Sequence, residues 1–186
     1  MTEKLEGLIA FLDKPERLDK LTPKQLLNMI PIKGDENIID IGAGTGYLTI
    51  PAASKTKGTV YAYDMEPKLL SIIKERAEVQ KITNIEYIEG RIEELPSFTK
   101  PIQVVLASLI LHEIKDLPLA LGKIYNTLAD NGYLICVEYE IEEYSSVKPP
   151  RVSSKMMIDE LEKANFLVKK KLLPAEDLYI IFAKKI

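Results

Sequence analysis

Residues Ile38 to Pro51 read I-I-D-I-G-A-G-T-G-Y-L-T-I-P, with Asp40, Gly42, Gly44 and Gly46 at every second position. Ile38, Ile39 and Ile41 have the β-branching expected of a strand buried on both faces. The residues from Tyr47 onward read as the opening of a helix. Between them, Gly42-Ala43-Gly44-Thr45-Gly46 forms a turn whose backbone passes close to a ligand, because no Cβ stands in the way at the glycines. Asp40 falls at the carboxyl end of the strand, where open α/β sheets bind their ligands. A carboxylate there favours a ligand carrying positive charge over a bare phosphate. A tight strand-to-helix turn without a ligand is the alternative.

The dinucleotide fingerprint G-x-G-x-x-G would place its last glycine at Tyr47, but here the third glycine comes one residue earlier. An acid followed by G-x-G-x-G resembles the first motif of the class I S-adenosylmethionine-dependent methyltransferases. Thr59 to Asp64 is a second strand ending in an acid, eighteen residues after Gly46. The resemblance implies that Asp64 takes both ribose hydroxyls of the cofactor in a charge-assisted bidentate contact. It also implies that Met65 lies against the adenine with a soft apolar surface. Pro67 suits the first turn of the next helix, and a helix-capping role is the alternative for Asp64.

The resemblance extends along most of the chain. Asn84 to Pro96 looks like the third strand and the loop that reads adenine, with Arg91 where relatives commonly carry Asp. An arginine cannot accept a hydrogen bond; it either stacks on the purine or points to solvent while the backbone of Ile92 does the reading. Gln103 to Ser108 is the fourth strand, and Ser108 at its end joins the expected cofactor contacts. Leu109 to Asp116 resembles the "L-H-E" segment of the small-molecule branch typified by ubiquinone and menaquinone biosynthesis methyltransferases. Ala129 to Glu138 looks like the family's turn and fifth strand. Asn165 stands where relatives often carry glycine, and asparagine tolerates the left-handed geometry of a helix C-terminus.

The coarse reading is α/β. Strands are expected near 37–41, 59–64, 85–89, 103–108, 133–139, 167–172 and 179–184, and helices near 46–55, 67–80, 117–128 and 153–164. Such alternation argues a mostly parallel sheet with helices on both faces. The short gap between the last two strands suits a hairpin. The resemblance implies a Rossmann-like seven-stranded sheet in the order 3-2-1-4-5-7-6 with an antiparallel last strand. Residues 1–35 read as an N-terminal helical extension of the 36–186 methyltransferase domain. Leu5, Leu8, Ile9 and Leu12 make one amphipathic helix. A second pattern runs from Pro15 to Ile30 (Leu18, Leu21, Leu26, Leu27, Ile30), broken near Thr22-Pro23. The extension either covers cofactor and substrate or packs plainly on the sheet, and Phe11 and Arg17 are its residues nearest in chemistry to a sulfonium pocket.

Composition narrows the classes. A chain of 186 residues fits one α/β domain. The formal charge is −3 with acids and bases interspersed, so no basic face for nucleic acid is evident. Cys136 is the single cysteine, which excludes an internal disulfide framework and a thiolate metal site; no metal is expected. No apolar run approaches the roughly 18 residues of a membrane span, and Glu3, Glu6 and Asp13 interrupt any secretion signal. A cytoplasmic protein is expected; the sequence leaves its oligomeric state open.

The expected reaction is methyl transfer from S-adenosylmethionine, leaving S-adenosylhomocysteine, to a small-molecule acceptor. The methyl arrives already activated, so holding a nucleophile in line supplies most of the catalysis, about 7–11 kcal/mol from proximity and orientation. His112, the sole histidine, titrates near neutrality and is the candidate base or substrate ligand; packing in a short turn is its alternative. The Asn/Asp-Pro-Pro-Tyr runs of amino-methylating nucleic-acid enzymes and the acid cluster of catechol-type enzymes are missing from the sequence. Two other classes stay open. One is a catalytically idle module that binds the cofactor and acts as a regulatory partner. The other is a nicotinamide-dependent oxidoreductase, opposed by the Asp40–Gly46 pattern.

Overall fold

Ile38, Ile39 and Ile41 are fully enclosed in strand β1 (Ile38–Ile41), as their β-branching predicts for a central parallel strand. The computed structural model describes residues 3–14, 22–140 and 151–186. Arg17, Leu18 and Leu21 lie outside the described residues. The strand order is β3-β2-β1-β4-β5-β7-β6, with β7 antiparallel to its neighbours. By contacts the chain divides into two compact units, Met1–Gly90 and Arg91–Ile186.

In the first unit, β1, β2 (Val60–Asp64) and β3 (Ile85–Glu89) are parallel, with Asp40 opposite Ala62 and Asp64 opposite Glu89. Helix α1 spans Glu3–Leu12 and α2 spans Pro23–Met29. Thr22-Pro23, read as a break, is the start of α2: Thr22 and Gln25 form a reciprocal capping box with Pro23 in the first turn. Helix α3 (Thr49–Lys55) begins later than the expected residue 46 because Gly46 has φ +89°, which no helix admits. Helix α4 (Pro67–Val79) starts at Pro67 as expected, and its N-cap Glu66 accepts from the Lys68 N–H.

In the second unit, β4 (Ile102–Ser108) and β5 (Leu128–Tyr139) are parallel, while β6 (Phe166–Ala175) and β7 (Leu178–Lys185) form the closing hairpin. Strand β5 starts at Leu128 rather than 133. Leu128 pairs with Ile102, then the register shifts and Tyr133 meets Val104, so the residues between bulge around Asn131 at φ +63°. Helices α5 (Leu117–Thr127) and α6 (Ser154–Lys163) are capped by Asp116 and Ser153, whose side chains accept from Leu119 and Met156 N–H groups. Asn165, just past α6, has φ +67°, the left-handed conformation expected there.

Candidate functional site

The glycine turn is built by its backbone. Gly42, Gly44 and Gly46 all have positive φ (+67°, +56° and +89°), which excludes ordinary L-residues from that path. Gly42 and Ala43 N–H groups both donate to the Tyr63 carbonyl at 2.8 and 3.2 Å, and the Gly46 N–H donates to the Ala43 carbonyl at 2.9 Å. The Gly44 N–H donates to Asp64 Oδ2 at 2.8 Å. A methyl group built on Gly46 would stand 3.2 Å from Ile50 and Ile73 side-chain carbons, so this glycine admits helix packing. Asp40 is buried and accepts from Thr49 Oγ1 at 2.6 Å, tying the first residue of α3 to the end of β1.

Asp64 serves as a rivet between turn and strand. Its Oδ2 takes Gly44 and its Oδ1 takes the Glu66 N–H at 2.9 Å. The helix-cap alternative does not hold, because the N-cap of α4 is Glu66. Burial pushes the Asp64 carboxyl up from the ordinary aspartate range, against the downward pull of its backbone N–H partners. A carboxylate has about four lone-pair sites, so both oxygens keep capacity for further donors. Beside it Met65 is 60% exposed, a large apolar side chain left open next to a buried acid.

A group that sequence reasoning passes over closes on the turn from the N-terminus. Leu12 is buried, and its Cδ1 lies 3.4 Å from where a Gly44 Cβ would stand. The space beside Gly44 in that direction is therefore held by Leu12. Asp13 accepts from Thr45 Oγ1 at 2.8 Å, and Arg76 of α4 donates to Asp13 Oδ2 at 2.6 Å, to Asp13 Oδ1 at 3.0 Å and to the Thr45 carbonyl at 2.9 Å. Of the two residues singled out in the extension, Phe11 is 51% exposed and Arg17 is among the residues not described.

In the second unit, Arg91 precedes a single 3-10 turn (Ile92–Glu94); its side chain is 57% exposed with Nε 3.9 Å from Glu93 Oε2, while Ile92 is buried. Ser108 ends β4, opposite Val137 of β5. The chain then enters a second 3-10 turn (Leu111–Glu113) through Leu109, which has φ +55° and donates its N–H to the Val137 carbonyl at 2.8 Å. A leucine in the left-handed region is strained. The turn is held by Glu138, a residue absent from the sequence-derived site. Its side chain is 1% exposed; Oε1 accepts the Ile110 and Leu111 N–H groups at 3.0 and 2.7 Å, and Oε2 lies 2.6 Å from His112 Nδ1. Burial acts to lower the His112 pKa, but the hydrogen bond and charge of Glu138, helped by Glu113, outweigh it and leave the imidazole above its ordinary value. The positive charge of Arg151 works weakly against that rise.

Cys136 is buried and its thiol is pushed far up by desolvation, so it is inert. Among the described residues no group of three or more His, Cys, Asp or Glu side chains could hold a metal ion. Among those residues no helix is long and apolar enough to cross a membrane.

Residues 32–179 match the model of a methyltransferase domain family. A ribosomal protein L11 methyltransferase of Bacillus velezensis is 28% identical over 87% of this chain and 47% of its own length. A demethylmenaquinone methyltransferase of Chlorobaculum tepidum is 27% identical over 61% of the chain and 45% of its own. The chain thus spans about half the length of these curated relatives. The crystal structure of an S-adenosylmethionine-dependent methyltransferase from Aquifex aeolicus has the same fold, with a TM-score of 0.85 at 21% identity over 96% of this chain and 97% of that one. The chain belongs to the methyltransferase domain family, and its fold is that of the class I S-adenosylmethionine-dependent enzymes.

Proposed function

We propose that this chain transfers a methyl group from S-adenosylmethionine to a small-molecule acceptor. The observation that carries the reading is the pairing of Asp64 with the glycine turn: a buried carboxylate, fixed by Gly44 and Glu66 yet with lone pairs to spare, beside an exposed methionine. An acceptor beside an apolar surface fits a ribose diol and a flat base. In this reading Asp64 takes the hydroxyls, Met65 lies against the adenine, and in the second unit either Arg91 stacks on the purine or the Ile92 backbone reads it. Asp40, the turn from Gly42 through Ala43, Gly44, Thr45 and Gly46, and Ser108 at the end of β4 supply the remaining cofactor contacts in this reading. When bound, S-adenosylmethionine supplies a methyl on a sulfonium, whose bonding electrons leave with sulfur as S-adenosylhomocysteine. The chain orients the acceptor, excludes water, and offers His112 to receive a proton.

The extension 1–35 acts as a cover over the cofactor end of the 36–186 domain, a reading supported by Leu12 and Asp13 against the glycine turn. The small-molecule class is supported by the interspersed charges and the formal charge of −3. A cytoplasmic setting is part of the same proposal, supported by a lone cysteine that can form no disulfide within the chain.

Calorimetric titration with S-adenosylmethionine and with NAD tests the cofactor: binding of NAD alone would overturn the proposal. Labelled methyl transfer into a cell extract, fractionated into metabolites, protein and RNA, tests the acceptor class. Label is expected in the metabolite fraction, and label confined to protein or RNA would refute the small-molecule acceptor. No label in any fraction, with cofactor bound, would support the second reading of an idle binding module. The donor-only, largely exposed Arg91 is the observation that favours that second reading.

A further inference from the structure

Glu138 is enclosed in β5, beside Val137 and opposite Tyr179 of β7. A buried carboxylate is costly unless its oxygens are satisfied, and here each oxygen has a separate task. Oε1 gathers the two backbone N–H groups of Ile110 and Leu111, which sets the path of the turn after the strained Leu109. Oε2 is left for one partner, His112 Nδ1, at 2.6 Å. An ionised carboxylate only accepts, so the nitrogen facing it carries the proton. The other ring nitrogen, Nε2, has no hydrogen-bond partner among the described residues; its nearest charged atom is Glu113 Oε1 at 3.8 Å, beyond hydrogen-bond reach.

We propose that Glu138 is a positioning residue that holds His112 as the Nδ1–H tautomer, leaving Nε2 to take a proton from a methyl acceptor that carries an O–H or N–H. The inference rests on the reading of His112 as the base. The proton passes from the acceptor's O–H or N–H to Nε2. The pair of that bond stays on the acceptor atom as the nucleophile, and the imidazolium then returns the proton to water. An acceptor that already presents a free lone pair, such as a carboxylate, needs no such group. The substrate class narrows to acceptors that become good nucleophiles only as a proton leaves: hydroxyls, phenols and ring N–H groups, and not neutral amines, which already present a lone pair.

His112 is the only histidine, so a long-range 1H–15N spectrum of the intact labelled protein reports this ring alone. Above the imidazole pKa the wild type should show a protonated Nδ1 and a bare Nε2. In Glu138→Gln, Oε1 still serves the two backbone N–H groups while the amide nitrogen donates toward Nδ1. The ring should switch to the Nε2–H form and titrate at lower pH, away from the Glu138 charge though still beside Glu113 and Arg151. Turnover of the labelled metabolite found in the extract should drop about a hundredfold or more, with S-adenosylmethionine affinity unchanged. A purely structural Glu138 would leave the tautomer alone. An Nε2–H wild-type ring, or a Gln variant with unaltered tautomer, would overturn the proposal; if the variant does not fold, the wild-type spectrum alone decides. A tautomer that switches as expected while His112→Ala keeps full turnover would instead refute the base reading and leave the hold of Glu138 standing.

Discussion

Asp13 and Arg76, 63 residues apart in the sequence, meet through two hydrogen bonds of 2.6 and 3.0 Å. The same guanidinium holds the Thr45 carbonyl and the same carboxylate holds Thr45 Oγ1. The pair therefore fastens the end of α1 to the middle of the glycine turn. Both side chains are more than a third exposed, and exposed ion pairs contribute only about 0.2–1 kcal/mol. Asp13→Ala should lower the melting temperature by no more than a few degrees. Its larger effect should be on exchange: if α1 is a cover, S-adenosylmethionine should dissociate several-fold faster in stopped-flow displacement. Unchanged dissociation would reduce the extension to packing.

Gly44 and Gly46 should respond differently to alanine. Both need positive φ, which costs an L-residue about 1–2 kcal/mol. A Cβ at Gly44 meets Leu12 at an ordinary 3.4 Å, whereas at Gly46 it meets Ile50 and Ile73 at 3.2 Å. Gly46→Ala should thus be the more destabilising of the two in urea denaturation. Gly44→Val should weaken cofactor binding by displacing Leu12 and distorting the turn, with the fold retained. Normal binding by that variant would remove the turn from the site.

Asp64 carries two loads, and its variants should show both. Asp64→Ala leaves the Gly44 and Glu66 N–H groups without their acceptor, at about 1–3 kcal/mol for an unsatisfied buried group, and should weaken S-adenosylmethionine binding by roughly tenfold or more. Asp64→Asn keeps one acceptor oxygen and should lose less of each. Because burial raises the carboxyl pKa, protonation begins at higher pH than for an ordinary aspartate. Cofactor affinity should therefore fall as pH drops through that raised value, and Asp64→Asn should flatten the acid limb. Isothermal titration across pH reads both outcomes.

The fold is legible because its signals are local. β-Branched residues mark β1 and β4, alternating tyrosines after Val60 mark β2, glycines at alternate positions require positive φ, and Asn165 marks a left-handed stop. The late start of α3 is harder to read, since Tyr47 and Leu48 suit a helix and only the conformation of Gly46 delays it. Glu138 escapes sequence reading for a different reason. An acid in an apolar strand has no spacing that ties it to a histidine 26 residues earlier; parallel pairing of β4 with β5 makes the contact. Asp13 and Arg76 are likewise ordinary surface charges until the fold joins them.

His112 should show opposite pH dependences for stability and for catalysis. Its folded pKa lies above the ordinary 6.5 because Glu138 outweighs burial. A raised folded pKa means that pairing stabilises the protein fully below the unfolded value and is lost as pH rises through the folded one. His112→Ala should therefore lose most stability relative to wild type near pH 5–6, and less at pH 9, in paired thermal melts. Turnover requires a bare Nε2, so wild-type activity should rise through the same interval in which the pairing's stability fades. If His112 takes the acceptor's proton, His112→Ala should cut turnover about a hundredfold or more with cofactor affinity nearly constant. A variant that melts lower at acid pH yet turns over within a few fold of wild type would assign the imidazole to holding the turn between β4 and α5, and the acceptor would then be one that needs no base.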